Sequence, residues 1–202
     1  MDFTIDSALY IIEKILRGTS ISIHKIRLSQ RKPLKDYKKI KKIKLDLGCG
    51  GRKKNGFIGI DVILGPGVDI EQNLENGIPF SDKSVAEIFS SHFLEHLSHQ
   101  SVPYVIKECH RVLVPHGKLT IEVPDLEACL QKFLSAKEKN RWEWVWEWIF
   151  GNQKKDYEFH KTGFTKQRLV SLLTIAGFNN ISLTSYKFGS MPSLRVTAIK
   201  LV

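Results

Sequence analysis

The chain reads as an open α/β fold: a seven-stranded, mostly parallel sheet with helices on both faces and an antiparallel hairpin at its C-terminal end. Three observations carry that reading. From Ile43 onward, short apolar runs of strand length alternate with amphipathic stretches of helical period. Glycine and proline punctuate the joints between them. The last two apolar runs follow one another with no helix between, so they must pair antiparallel. With 202 residues, 42% hydrophobic and 26% charged, the chain suffices for one cored domain plus an appendage.

The expected boundary lies at residue 42. Before it, residues 7–17 space Leu9, Ile12, Ile15 and Leu16 as one helical face, with Asp6 or Ser7 as N-cap and Gly18 as stop. Residues 20–28 are too irregular to assign, and residues 30–44 form a lysine-rich connector interrupted by Pro33. After the boundary, the domain at 43–202 has expected strands at 43–47, 57–62, 67–71, 85–91, 118–123, 180–187 and 194–201. Helices are expected at 93–97, 100–113, 126–137, 141–150 and 165–176. Pro115 and Gly117 stop the second of these, and the last runs from the Thr165 cap to Gly177.

Charge is distributed unevenly. Residues 1–54 carry 15 Lys+Arg against 5 Asp+Glu, whereas the rest of the chain balances at 16 of each. Three cysteines, Cys49, Cys109 and Cys129, with no C-x-x-C pair, exclude a disulfide framework and a cysteine zinc site. They fit a reducing compartment, and the N-terminal acids Asp2 and Asp6 argue against a signal peptide, so a cytoplasmic location is expected.

The unusual residues fall at the carboxyl ends of the strands, where open α/β sheets bind ligands. The first strand runs into Leu45-Asp46-Leu47-Gly48-Cys49-Gly50-Gly51, a turn whose glycines let backbone N–H groups face a ligand. The second ends in Asp61, an acid placed to accept hydrogen bonds from both hydroxyls of a ribose. A dinucleotide fingerprint would need glycine at position 53, where Lys53 stands, so hydride transfer is disfavoured.

At these residues the chain resembles the class I S-adenosylmethionine-dependent methyltransferases, especially the type 11 group. The resemblance rests on Leu45–Gly51, Asp61, Ile78-Pro-Phe-Ser-Asp-Lys-Ser-Val85, Ser90-Ser-His-Phe-Leu-Glu-His-Leu97, and Leu113–Ile121 leading to Pro124-Asp125. It covers about residues 43–202, and five motifs in family order make it specific. It implies a Rossmann-like fold with S-adenosyl-L-methionine as cofactor. Asp46, Gly48, Cys49 and Gly50 would line its methionine part, Asp61 would hold the ribose diol, and Val62 would pack on the adenine. Asn73 and Leu74 would meet the adenine edge; Ser91 and His92 would close the site beside the sulfonium. One departure is plain: ten residues, 48–57, separate the first two strands, so the usual first helix is shortened or absent, and its charged tip Arg52-Lys53-Lys54 should face solvent.

A second segment, Ile149–Phe164, resembles a substrate-side insertion of some family members. There Gln153, Tyr157 and His160 would bind the acceptor, as polar groups on an aromatic background do in small-molecule pockets. His160 and His92 are the candidate general bases for a hydroxyl acceptor, each set against a satisfied structural histidine or a helix cap. Glu95 and His96 read more as loop-orienting residues than as catalysts. Trp142, Trp144, Trp146 and Trp148 alternate at period two within an expected helix. They read as packing against the N-terminal helix, or as an aromatic wall or membrane-interface contact. No metal is expected, because carboxylates and histidines show no ligand spacing along the chain.

The reaction implied is methyl transfer to an oxygen or nitrogen of a small polar metabolite, a sugar or a cell-envelope precursor, with alignment and exclusion of water supplying most of the catalysis. The basic stretch 25–44 has three readings: a solvated face, a contact with an anionic membrane surface, or a contact with nucleic acid. Two rival functions accompany them, an RNA methyltransferase clamping phosphates with that stretch and a non-catalytic scaffold of the same fold.

Overall fold

A computed structural model of the protein describes residues 42–202, all within one compact unit. The expected N-terminal helix and nearly all of the basic connector lie outside the described residues. Strands β1 (Ile43–Leu47), β2 (Ile58–Asp61), β3 (Ile70–Glu71), β4 (Val85–Ser91), β5 (Leu113–Pro124), β6 (Phe178–Phe188) and β7 (Met191–Lys200) form one sheet in the order β3-β2-β1-β4-β5-β7-β6. The first five are parallel to one another; β7 runs antiparallel between β5 and β6. Helices α1 (Ser101–Val112), α2 (Leu126–Ser135) and α3 (Lys166–Ile175) accompany them.

Strand alternation sorts the two sheet faces. Register places Leu45, Ile58, Ile88, Leu119 and Ala198 in one row across five strands, and Leu47, Ile60, Ile121 and Val196 in the next. All nine are buried. α1 and α3 touch each other and the β5–β7 end of the sheet, and their buried Val102, Val105, Leu169 and Leu173 complete this core. The opposite face carries more polar groups: Glu87 bridges Lys44 at 2.8 Å and Lys118 at 3.7 Å, beside the Phe57–Phe89 ring pair.

The β1–β2 connection contains no helix. Its ten residues are held by polar contacts instead: Lys53 pairs with Asp69 at 2.6 Å, and Asp46 Oδ2 accepts the Lys54 N–H at 2.7 Å. The charged tip is therefore solvent-facing only in part. Arg52 and Lys54 are exposed, whereas Lys53 anchors the loop to the approach of β3.

Elsewhere the limits move for local reasons. β3 shrinks to two paired residues because a Gly65–Val68 turn takes up the start of the expected strand. β5 begins five residues early: Leu113 already pairs with Val85, and a register shift absorbs Pro115 to Gly117. Residues 93–97 make only a 3-10 turn, Leu94–His96. The expected helix at 141–150 is broken into Glu138–Asn140, a π-helical turn Arg141–Val145, and Glu147–Phe150. Trp142 and Trp144 are exposed. Trp142 packs edge-on against Phe133, while Trp144 meets Trp148 one turn on.

Both sheet edges are irregular. β3 offers one of them only two residues, and β6 forms the other with a register shift between Asn179 and Ser182. Asn180 there takes a φ of 48°, and Asn179, Ser182, Thr184, Ser185 and Lys187 are exposed.

One clasp secures the Ile78–Val85 segment. Arg111, near the end of α1, donates to the Ile78 and Phe80 carbonyls and to Asp82 and Glu108; Glu108, buried, accepts the Ile78 N–H at 3.0 Å. A charged pair at this depth holds because its oxygens and N–H groups are multiply satisfied.

Candidate functional site

The carboxyl ends of β1, β2 and β4 open into a cleft of about 480 Å³, within the roughly 300–1,000 Å³ typical of small-molecule sites. Its floor is the turn after β1. Gly48 has φ 65°, and a Cβ there would lie 2.2 Å from the Phe93 ring, so no other residue fits. Gly50, at φ 53°, faces open space. Its N–H donates to Asp61 Oδ2 at 2.8 Å, while Asp61 Oδ1 accepts the Ile63 N–H at 3.2 Å. The acid at the tip of β2 is thus aimed over the glycine turn by two backbone donors.

Of the expected cofactor residues, Gly48, Gly50, Asp61, Val62, Asn73, Leu74 and His92 line this cleft. Asn73 uses its side chain to cap the turn Leu74–Asn76, accepting from the Glu75 N–H. Three others do not line it. Asp46 stands between Leu45 and Leu47, so alternation turns it to the polar sheet face, where it holds the Lys54 N–H and burial raises its pKa. Cys49 turns its thiol toward the Gly67 carbonyl, and burial pushes that thiol up to about 12. Ser91 donates to Glu122 Oε2 at 2.7 Å.

His92 is the strained residue of the site, with φ 51° in a non-glycine position. Its Nδ1 lies 3.1 Å from Glu95 Oε1, its Nε2 lies 3.5 Å from the Tyr186 hydroxyl, and its ring leans on Phe188. The C-terminal hairpin therefore reaches back to orient the residue that follows β4. Burial and the neighbouring Glu122 carboxylate push the Tyr186 phenol up, so it stays protonated.

The segment 149–164 closes through a bridge between Gly151 and Phe159, and the Lys161 N–H donates to the Glu95 carbonyl at 2.7 Å, which holds the segment beside the loop after β4. Of the three residues singled out in it, Tyr157 lines the cleft. Gln153 does not: it is exposed, at φ 57°, and its amide turns back toward the Phe150 carbonyl at 3.4 Å. His160 sits one layer behind, against the His96 ring at 5.0 Å, and burial holds its pKa below the ordinary 6.5. Gln72, Phe93, His96 and Lys161 line the cleft without having been singled out as binding residues. Only the 3-10 turn after β4 and the return of the 149–164 segment bring His96 and Lys161 there. A Gly151 Cβ would lie 2.0 Å from the Glu158 carbonyl oxygen. Gly151→Ala is therefore expected to open this segment while sparing the sheet, read as faster amide exchange confined to residues 150–160.

The methyltransferase-domain family model matches residues 60–121, from β2 through most of β5. No curated protein matches the chain. Among solved structures, a S-adenosylmethionine-dependent methyltransferase from Methanosarcina mazei superposes with a TM-score of 0.56 at 20% identity, over 79% of this chain and 92% of that one. One from Archaeoglobus fulgidus gives 0.56 at 16% identity, covering 95% and 99%. The 1,6-didemethyltoxoflavin-N1-methyltransferase of Burkholderia thailandensis gives 0.57 at 14%, covering 96% and 90%. Strand order, glycine turn and matched segment agree: this chain has the fold of the class I S-adenosylmethionine-dependent methyltransferases that its motifs resemble.

Proposed function

We propose that the protein binds S-adenosyl-L-methionine in this cleft and transfers a methyl group to an oxygen or nitrogen of a small polar metabolite, a sugar or a cell-envelope precursor. The observation that carries the reading is the Asp61 carboxylate held over the Gly48–Gly50 turn. A carboxylate offers about four lone-pair positions, and the Gly50 and Ile63 N–H groups use two, which leaves about two for a diol. The open space at Gly50 and the apolar Val62–Leu64 wall fit the rest of a nucleoside ligand. When bound, this cofactor supplies a methyl group already activated on sulfur.

The chain's own residues do the rest. Gly48 and Phe93 set the depth of the floor. Glu95, buried beneath the loop, fixes the His92 tautomer by accepting from Nδ1, which leaves Nε2 basic beside the Tyr186 hydroxyl. His92 can then take the proton of a hydroxyl acceptor, and Tyr157 and Lys161, which line the same cleft, offer it donors. Two structural neighbours support a small acceptor. The Burkholderia enzyme holds 1,6-didemethyltoxoflavin with S-adenosylhomocysteine, and a Haemonchus contortus phosphoethanolamine N-methyltransferase holds phosphomonomethylethanolamine. No helix among the described residues is long and apolar enough to cross a membrane.

The test is methyl transfer from labelled S-adenosylmethionine to fractionated small-molecule, lipid-linked and RNA extracts. Label is expected in a polar small-molecule or lipid-linked fraction. His92→Asn should lower turnover at least tenfold with S-adenosylhomocysteine binding retained. Preferential labelling of RNA would overturn the acceptor class.

A further inference from the structure

We infer that Glu95, His96 and His160 form a binding site for one divalent transition-metal ion of the zinc class, on the acceptor side of the cleft. Glu95 and His96 come from the turn after β4 and His160 from a segment more than sixty residues later, so ligand spacing along the chain gives no sign of it. One donor atom from each lies within 4.8 Å of the other two, and no other such group of three occurs among the described residues.

The second observation is the state of each donor. Glu95 is 1% exposed, and its Oε2 is buried with no hydrogen-bond partner, although the other oxygen, Oε1, faces His92 Nδ1 at 3.1 Å. A buried carboxylate oxygen without a partner is costly unless something positive reaches it. Both imidazoles show the arrangement that metal-bound histidines adopt, one ring nitrogen committed to a carbonyl and the other left free. His96 Nδ1 lies 3.1 Å from the Phe159 carbonyl oxygen. His160 uses one ring nitrogen on the Trp148 backbone. The free nitrogens and Glu95 Oε2 then make a two-histidine, one-carboxylate set, a donor combination that suits zinc and its neighbours better than calcium or magnesium. A tetrahedral ion with bonds of about 2.0–2.2 Å holds its donors about 3.4 Å apart, so the three close in on it by side-chain rotation. Because His96 lines the cleft, the fourth position opens toward the acceptor. Its use there, to hold an acceptor oxygen beside His92, rests on the methyl-transfer reading; the metal site itself does not.

The test uses the full chain, stripped with chelator and titrated first with Zn(II) by calorimetry and then with Co(II) as a spectral probe. One ion per chain is expected, with the intense visible band of four- or five-coordinate Co(II). His96→Ala and Glu95→Gln should each weaken binding at least tenfold, and His116→Ala, remote from the cluster, should change nothing. Circular dichroism shows that each variant is folded, and His160→Asn gives a third reading of the same donor set. No stoichiometric uptake by the wild type, or affinities equal in all variants, would overturn the site. S-adenosylhomocysteine binding, measured on the stripped protein, reports separately on the cofactor reading.

Discussion

Asp61→Ala is expected to weaken S-adenosylhomocysteine binding at least ~100-fold, in calorimetric titrations against the wild type. Hydrogen bonds to a charged acceptor contribute roughly 1.5–3 kcal/mol each, and every 1.4 kcal/mol is tenfold in affinity. The carboxylate would lose its bonds to the ligand and also release the Gly50 and Ile63 N–H groups that it now orients. Asp61 stands at the cleft and only half-buried, so the fold should survive and the loss should fall on binding. Asp61→Asn keeps an acceptor oxygen without the charge and should lie between the two. Equal affinity in wild type and Asp61→Ala would remove the main support for the cofactor site.

Gly48→Ala should do more than empty the cleft. The added methyl group would meet the Phe93 ring at 2.2 Å, on a backbone at φ 65°. The left-handed backbone costs roughly 1–2 kcal/mol and the overpacking about as much again, near 3 kcal/mol together. For a domain of this size that corresponds to a fall in Tm of about 6–12 °C. Phe93 must turn to make room, and it lines the cleft, so ligand binding should drop in parallel. Pairing Gly48→Ala with Phe93→Ala tests the cause. The double variant should recover much of the melting temperature lost by Gly48→Ala alone, because the colliding ring is gone.

The sheet was legible because its strands announce themselves by composition and alternation. β1 and β4 fall where Ile43–Leu47 and Val85–Ser91 place them, and the hairpin follows from the missing helix between β6 and β7. Boundaries failed where a single contact outweighs pattern. Leu113 continues pairing past a proline, and the π turn at Arg141–Val145 shifts helical phase inside a run with no breaker. The cleft floor was legible for its glycines and Asp61, since backbone geometry alone brings them together. Asp46 falls outside the cleft lining because a motif is read as a string while a strand sends neighbours to opposite faces. The far wall of the cleft was least legible: His96 enters through the 3-10 turn after β4, Lys161 lines the cleft and Tyr186 reaches His92 only through chain return, and His160 lies behind the wall rather than on it.

The two ends of the sheet bear on how these molecules behave when crowded. Free strand edges are templates on which another chain can add a strand and begin a fibre. Here a newcomer would find two residues to pair with at β3. At β6 it would find a ladder interrupted at Asn180 and lined with asparagine, serine, threonine and lysine. Neither offers the long, flat, apolar template that growth requires. These two described edges should therefore not template intermolecular β-structure, so thioflavin-positive material grown from them is not expected below the melting temperature.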